Sequence, residues 1–374
     1  MNFACACKVM YNLFRQRGLV MGFNRERLHN VSAATIFPDA MDNAFQDKDL
    51  QPLWLYLPTA HISERDFCRM ELRALFPEEC EWESAGFGRL AESDTVEIPA
   101  AFLSQRDIPP DRSPYLRQRI LVWKRADSPQ ALSAWLLEQK TNLDGFKFVH
   151  LRHPGMDLEY QEWIQTARYL GEAIQGTPDM KNPRWELAFL PYQNEWILGQ
   201  YQRTRIQWKS HNHKPSNNSH SVKTAMARSL VNIAVGPDLG KSFVDPCCGV
   251  GTVVIDALDL GLNVHGFDIN RMVVYQAMDN LKAMGWPQVV AIGDIHCLEG
   301  QWDAAVLDLP YGLFTRVEPE QIEALIRRAR RIALRVVFLA FEDLKAVIED
   351  AGFRVLDQCL ARRGRFVRHV YLCV

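Results

Sequence analysis

The sequence predicts an α/β protein in which a doubly wound sheet with a C-terminal antiparallel hairpin, over residues 224–374, is preceded by an α+β region. Three observations lead there. From Thr224 onward, short apolar runs alternate regularly with segments of helical period. A glycine turn, Gly249-Val250-Gly251, follows the first of those runs, where an open parallel sheet passes from strand to helix. Ahead of Tyr201 the alternation is less regular and ends in two adjacent strand-like runs, which suits α+β packing in two small units.

Residues 1–50 lack sustained periodicity and are read as a disordered extension; Arg15, Arg17, Arg25 and Arg27, with few acids before Asp39, leave an organellar presequence as the alternative. A strand is expected at 53–57 and an amphipathic helix at 63–76, started by Ser63 and Asp66, with Phe67, Met70, Leu72 and Leu75 as its apolar set. The polar, proline-containing stretch 98–114 reads as a loop. Strand 119–123, helix 128–139 opened by Ser128-Pro129, strand 146–151, helix 157–174 and a hairpin of 185–191 with 195–200 follow. The segments 51–125 and 126–200 are taken as the two units, and 201–223, rich in Asn, Ser, His and Lys, as a basic linker. Beyond it the order is helix 225–234, strand 242–244, helix 252–260, strand 264–267, helix 272–284, and strands 289–292 and 304–307. Helix 319–333, strand 336–340, helix 344–351 and strands 354–359 and 367–373 complete the pattern.

Composition narrows the function classes. The 374 residues are 48% hydrophobic and 24% charged, as in soluble globular proteins of two or three domains. A net charge of −2 gives no global attraction to phosphate, so a nucleic-acid partner would have to meet a local basic surface. The nine cysteines form no paired C-x-x-C, which argues against structural zinc, and their odd number argues against a disulfide framework. A reducing cytoplasm is the expected home, with no metal and no membrane partner, since the apolar stretches are too short and interrupted to span a bilayer.

Chemistry concentrates at strand ends. Asp245-Pro246-Cys247-Cys248-Gly249-Val250-Gly251-Thr252 joins the first strand to its helix, and its glycines let a ligand lie against the backbone. Asp245 is placed to accept from an ammonium group. Asp268, ending the next strand, suits ribose hydroxyls, and Asp294, after the third, suits an adenine amino group between Ile269 and Ile295. Three acids at three strand ends fit a cation-bearing nucleoside, S-adenosylmethionine. The same stretch lacks the third glycine of a dinucleotide turn, and Gly236 to Ser242 falls one residue short of a P-loop and precedes a strand. Cys247 and Cys248 read as small residues filling the turn, not as nucleophiles.

Further on, Asp308-Leu309-Pro310-Tyr311 follows the fourth strand. An exocyclic base amine is a poor nucleophile because its lone pair is delocalised into the ring. A carboxylate and a carbonyl accepting its two hydrogens favour the nucleophilic form. Asp308 and the Leu309 carbonyl are those acceptors, Pro310 shapes the turn, and Tyr311 offers a stacking face.

These two stretches resemble the D-P-x-x-G-x-G-T and D-P-P-Y motifs of the tRNA guanosine N2-methyltransferase family, with Leu309 replacing the first proline. The resemblance is strongest from Lys223 to the C-terminus. A weaker likeness at 53–200, centred on Asp179-Met180-Lys181-Asn182-Pro183, is to a THUMP RNA-binding domain. It implies a Rossmann-like methyltransferase domain preceded by a ferredoxin-like and THUMP-like RNA-binding region. Methyl transfer from S-adenosylmethionine to guanine N2 in tRNA is the activity implied. Related tetrapeptides serve adenine N6 and protein amides, so a DNA adenine or protein amide methyltransferase is the alternative within enzymes. An RNA-binding protein with a degenerate cofactor pocket is the alternative outside them.

Candidate RNA contacts come from position. Arg203, Arg205, Trp208, Lys209, Lys214, Lys223 and Arg228 lie in a run from 200 to 230 that has no acid, and a basic segment with an interleaved aromatic suits a backbone-tracking surface. Arg363 and Arg365, with Arg362 and Arg368, form a second cluster at the closing hairpin, flanking the same cleft.

Overall fold

The computed structural model describes residues 51–78, 98–152, 158–217, 222–310, 318–363 and 366–374. The expected extension at 1–50 lies outside them, as do Tyr311 and Arg365. Among the described residues no helix is long and apolar enough to cross a membrane, and no group of His, Cys, Asp or Glu is arranged to hold a metal.

The first half builds one six-stranded sheet in the order β2-β1-β3-β6-β5-β4. Its strands are β1 (Trp54–Leu57), β2 (Phe102–Ser104), β3 (Gln118–Ala126), β4 (Phe146–Phe148), β5 (Trp185–Tyr192) and β6 (Glu195–Arg203). Helices α1 (Arg65–Leu75), α2 (Pro129–Glu138) and α3 (Tyr160–Glu172) accompany it. Both stretches, 51–125 and 126–200, contribute strands to this sheet, joined through the β3–β6 pairing. Ser128 caps α2, its Oγ accepting from the Ala131 N–H at 3.2 Å with Pro129 as first helical residue. Two differences from expectation stand out. The polar stretch after Ile98 contains an edge strand, β2, paired antiparallel with β1. Ser63 belongs to a 3-10 turn before α1, which starts at Arg65 without a side-chain cap.

The second half forms a seven-stranded sheet, β12-β13-β11-β10-β7-β8-β9. Strands β7 (Ser242–Asp245), β8 (Asn263–Asp268), β9 (Val290–Ile292), β10 (Trp302–Asp308) and β11 (Ala333–Ala340) run parallel. β12 (Val355–Arg363) and β13 (Phe366–Cys373) close it as an antiparallel hairpin. Helices α4 (Thr224–Val235), α5 (Thr252–Asp259), α6 (Arg271–Ala283), α7 (Pro319–Ile332) and α8 (Lys345–Asp350) cover the two faces. Both faces being buried, successive residues enter opposite cores: Val306 and Leu339 on one side, Leu307 and Phe338 on the other. This is the doubly wound, Rossmann-like architecture.

A shared core joins the halves, with Tyr56, Phe67 and Leu72 packing in the same cluster as Leu230, Val231 and Phe243. A buried polar joint lies within it. Glu71 of α1, with no exposed surface, accepts from Ser113 Oγ at 3.1 Å, Ser229 Oγ at 3.0 Å and Asn232 Nδ2 at 2.5 Å. Arg112 donates to Asn232 Oδ1 and to the Gly236 carbonyl, each at 2.7 Å.

Candidate active site

Topology brings the strand-end acids together. β10, β7, β8 and β9 are consecutive neighbours, so Asp308, Asp245, Asp268 and Asp294 stand side by side along the carboxyl edge of the sheet. Electrostatics agrees, because all four carboxylates act on the Cys247 thiol, whose ionisation is pushed well up, first by burial and then by these charges. Cys248 is also pushed well up, by burial first, and in both thiols this disfavours the thiolate that a nucleophile needs.

The glycine turn is open where a ligand would lie. Gly249 has φ 53°, and a Cβ added there would meet nothing within 4 Å; Gly251, φ 81°, caps α5 and would bring a Cβ to 3.3 Å from that of Ala277. Asp268 binds the turn, its Oδ2 accepting from the Gly249 N–H at 2.9 Å and its Oδ1 from the Asn270 N–H at 2.8 Å. Asp294 Oδ1 accepts from the His296 N–H at 2.9 Å. These two acids are therefore already partly spent on backbone, but each remains half-buried and reachable. Asp245 is buried; its Oδ1 accepts from the Cys247 N–H at 3.2 Å, and burial, with Asp268 and Asp308 nearby, drives its carboxyl far above the usual range. Pro246 is buried behind the turn, and the Thr252 Oγ1 is buried with no hydrogen-bond partner. Ile269 stands 72% exposed beside Asp268, whereas Ile295 packs into the core with Leu298 and Trp302 instead of standing free as a ring wall.

At the facing corner, Asp308 Oδ2 accepts from Arg368 Nη1 at 2.9 Å, while its Oδ1 is buried without a partner. Burial raises the Asp308 carboxyl above its ordinary range, and Arg368 opposes that rise. Leu309 is buried and its N–H donates to the Leu339 carbonyl at 2.9 Å; Pro310 is half-buried. A buried acceptor without a donor, an unpartnered hydroxyl, open space over Gly249 and an excess of carboxylate charge together fit a cationic nucleoside beside an amine-bearing group.

Residues 211–339 match the family model described as UPF0020: RMKL-like, methyltransferase domain. That stretch is similar to methyltransferase domains. The chain is also similar to the tRNA (guanine(10)-N2)-dimethyltransferase of Methanothermobacter thermautotrophicus, 33% identical over 111 residues, covering 29% of this chain and 32% of that protein. A tRNA (guanine(10)-N2)-dimethyltransferase of Pyrococcus abyssi is 28% identical over 171 residues, 42% of this chain and 49% of that one. The U6 snRNA (guanine-N(2))-methyltransferase THUMPD2 of Mus musculus is 26% identical over 144 residues, 35% of this chain and 27% of that one. The chain thus spans 27% to 49% of the length of these relatives.

Several expected RNA contacts are turned inward in the second half and the segment leading to it. Arg228 is 4% exposed; it pairs with Asp259 of α5 and donates to the Asp111 carbonyl at 2.8 Å. Trp208 and Lys214 are buried, and His211 Nδ1 lies 3.1 Å from Asp256 Oδ1. The segment 207–214 is thus packed onto α4 and α5 because the acids it needs, Asp256 and Asp259, lie on α5. These three residues are not available to RNA. Arg203, Arg205, Lys209 and Lys223 stay exposed, although Arg203 lies 3.9 Å from Glu186. The Arg363 side chain and all of Arg365 lie outside the described residues.

Two residues escaped the sequence reading. Arg368 was grouped with the hairpin cations, and only its register opposite the end of β11 reveals Asp308 as its partner. Asn280 of α6 is fully buried; its Nδ2 donates to the Val250 carbonyl and to the Ser216 carbonyl, both at 2.9 Å, and its Oδ1 accepts from the Ser216 N–H at 2.8 Å. It ties the glycine turn to the segment entering the domain. A polar residue at a helix position flanked by apolar Ala277 and Leu281 was the available signal.

Proposed function

We propose that this protein transfers a methyl group to the exocyclic N2 of a guanosine in RNA, with tRNA as the substrate. One observation carries the reading: Asp308 holds a buried, unpartnered oxygen at the end of the strand next to the glycine turn. The guanine N2 specificity in the names of the three relatives supports it, and two of those names specify tRNA.

The site's residues divide the work. Asp245, Pro246, Cys247, Gly249, Gly251, Thr252, Asp268, Ile269, Asp294 and Ile295 line or back the region assigned to S-adenosylmethionine. Asp245 meets positive charge, Asp268 the ribose, Ile269 an apolar ring face, and Ile295 supports the wall from the core. When bound, the cofactor supplies an activated methyl group. Asp308 Oδ1 and the Leu309 carbonyl accept the two hydrogens of the base amine, so its lone pair is withdrawn from the ring and aimed at the donor, and the proton that the methylated nitrogen sheds passes to Asp308 Oδ1. Pro310 fixes that corner, and the stacking role of Tyr311 rests on the sequence alone. A base paired in a stem has to be extruded to reach this depth. Arg203, Arg205, Lys209 and Lys223 are the proposed phosphate contacts, with Arg363 and Arg365 kept on sequence grounds.

The test is incubation of the purified protein with S-adenosylmethionine and unmodified tRNA, followed by nuclease digestion and mass spectrometry. N2-methylguanosine is expected. Asp308→Ala is expected to lose about a hundredfold or more in turnover while keeping cofactor affinity. N6-methyladenosine as the product, or unchanged turnover in Asp308→Ala, overturns the assignment.

A further inference from the structure

Asp308 sits in surroundings hostile to its charge. Burial raises its carboxyl above the ordinary carboxylate range, and Asp245 stands close at the end of the adjacent strand. A neutral carboxylic acid would fail at the proposed task, because a proton on Oδ1 turns that atom into a donor facing an amine that itself donates. Something has to hold the ionised form and its orientation.

Arg368 is placed to do both. On β13, His369 pairs with Ala340 at the end of β11, so Arg368 projects one residue beyond that end, next to the corner where β10 finishes. Its side chain is 13% exposed, and its guanidinium carbon lies 5.0 Å from the centroid of the Phe341 ring, which limits its freedom. From there Nη1 reaches Asp308 Oδ2 at 2.9 Å and leaves Oδ1 unpartnered. Among the described residues, Arg368 from β13 acts on Asp308, and Asp308 in turn acts on Asp245 at the end of β7 and on Cys247 in the turn after it; its partner on β11 is Leu339. Arg368 is thus the cation that opposes the burial of Asp308.

We infer that Arg368 is the positioning residue of the transfer step: it grips Asp308 through Oδ2, keeps the carboxylate ionised, and turns Oδ1 toward the incoming amine. This rests on the proposed role of Asp308 as the amine's acceptor. A hairpin cation therefore serves the acceptor corner and not RNA phosphate.

The experiment uses the full chain with aspartate labelled by 13C at the side-chain carboxyl, the Asp308 resonance being assigned by its loss in Asp308→Asn. In Arg368→Met the Asp308 titration midpoint is expected to rise by about one pH unit or more. Arg368→Lys, which keeps charge but loses the planar fork, is expected to fall between the two. The acid limb of the pH dependence of kcat should move up in step in Arg368→Met, with the KM for RNA and the affinity for S-adenosylmethionine unchanged. A merely structural residue would leave the midpoint where it is in the wild type. An unmoved midpoint in folded Arg368→Met, or in Arg368→Lys should the methionine variant not fold, overturns the inference. The midpoint is read without turnover, so wild-type protein that methylates no guanine overturns the reaction class instead, and the two failures are told apart.

Discussion

Two polar clusters in this molecule have opposite logic. At the joint between the halves, Glu71 is enclosed and its carboxyl is pushed up to about 7 by burial, against hydrogen bonds from Asn232, Ser229 and Ser113 that lower it. Its partners are further tied by Arg112. At the sheet's carboxyl edge, Asp245, Asp268, Asp294 and Asp308 crowd around one turn, with Arg368 as the single cation paired to any of them among the described residues. The joint is polar and satisfied, so it specifies how the halves dock. The edge is polar and under-satisfied, which marks it as a candidate ligand site.

Breaking each cluster should therefore have opposite effects on stability. Glu71→Ala strands three buried donors and is expected to destabilise by about 3 kcal/mol in urea unfolding. Asp245→Asn keeps the acceptor for the Cys247 N–H while removing a raised carboxyl beside like charges, so it is expected to stabilise the ligand-free protein by about 1 kcal/mol while losing cofactor affinity. Equal destabilisation in both variants would erase the distinction.

The entry segment sharpens the comparison through pH. Burial pulls His211 down, but Asp256 and Asp259 outweigh it and hold the imidazolium up to about 9, from 6.5. A raised cation contributes stability below pH 6.5 that is lost as pH rises toward 9. Glu71, raised from 4.5 to about 7, loses its contribution in the lower window. Unfolding free energy should thus fall between pH 7 and 9 by a few kcal/mol at most, and His211→Ala should flatten that slope. The smallest effect concerns exposed charge. Arg205→Gln or Lys209→Gln should each lower the slope of log affinity for RNA against log salt by about one, whereas Arg228→Gln should leave that slope alone and cost stability.

Legibility followed the range of the interactions. In the second half, alternating buried strands and amphipathic helices write their boundaries locally, and the observed elements lie within a few residues of expectation; the apolar run 304–307, for example, marks β10, which runs Trp302–Asp308. The glycine turn and the acids at the strand ends were visible because each sits at a fixed offset from a strand. What escaped depends on distant partners. A polar, histidine-rich stretch reads as a linker until Asp256 and Asp259 are seen to bury it, and β2 hides among prolines because an edge strand needs only β1 for a neighbour. Arg368 looks like any surface arginine until the hairpin register sets it against Asp308, sixty residues earlier.

If the acids of the sheet's edge form one site for a cationic nucleoside, the protein should bind S-adenosylmethionine through them. Calorimetric titration of S-adenosylmethionine into the wild-type protein and into Asp268→Ala tests it most directly. Saturable binding is expected for the wild type, with affinity reduced about ten- to a hundredfold in Asp268→Ala, the loss of hydrogen bonds to a charged group. No heat of binding to the wild type, or an unaltered dissociation constant in the variant, would contradict it.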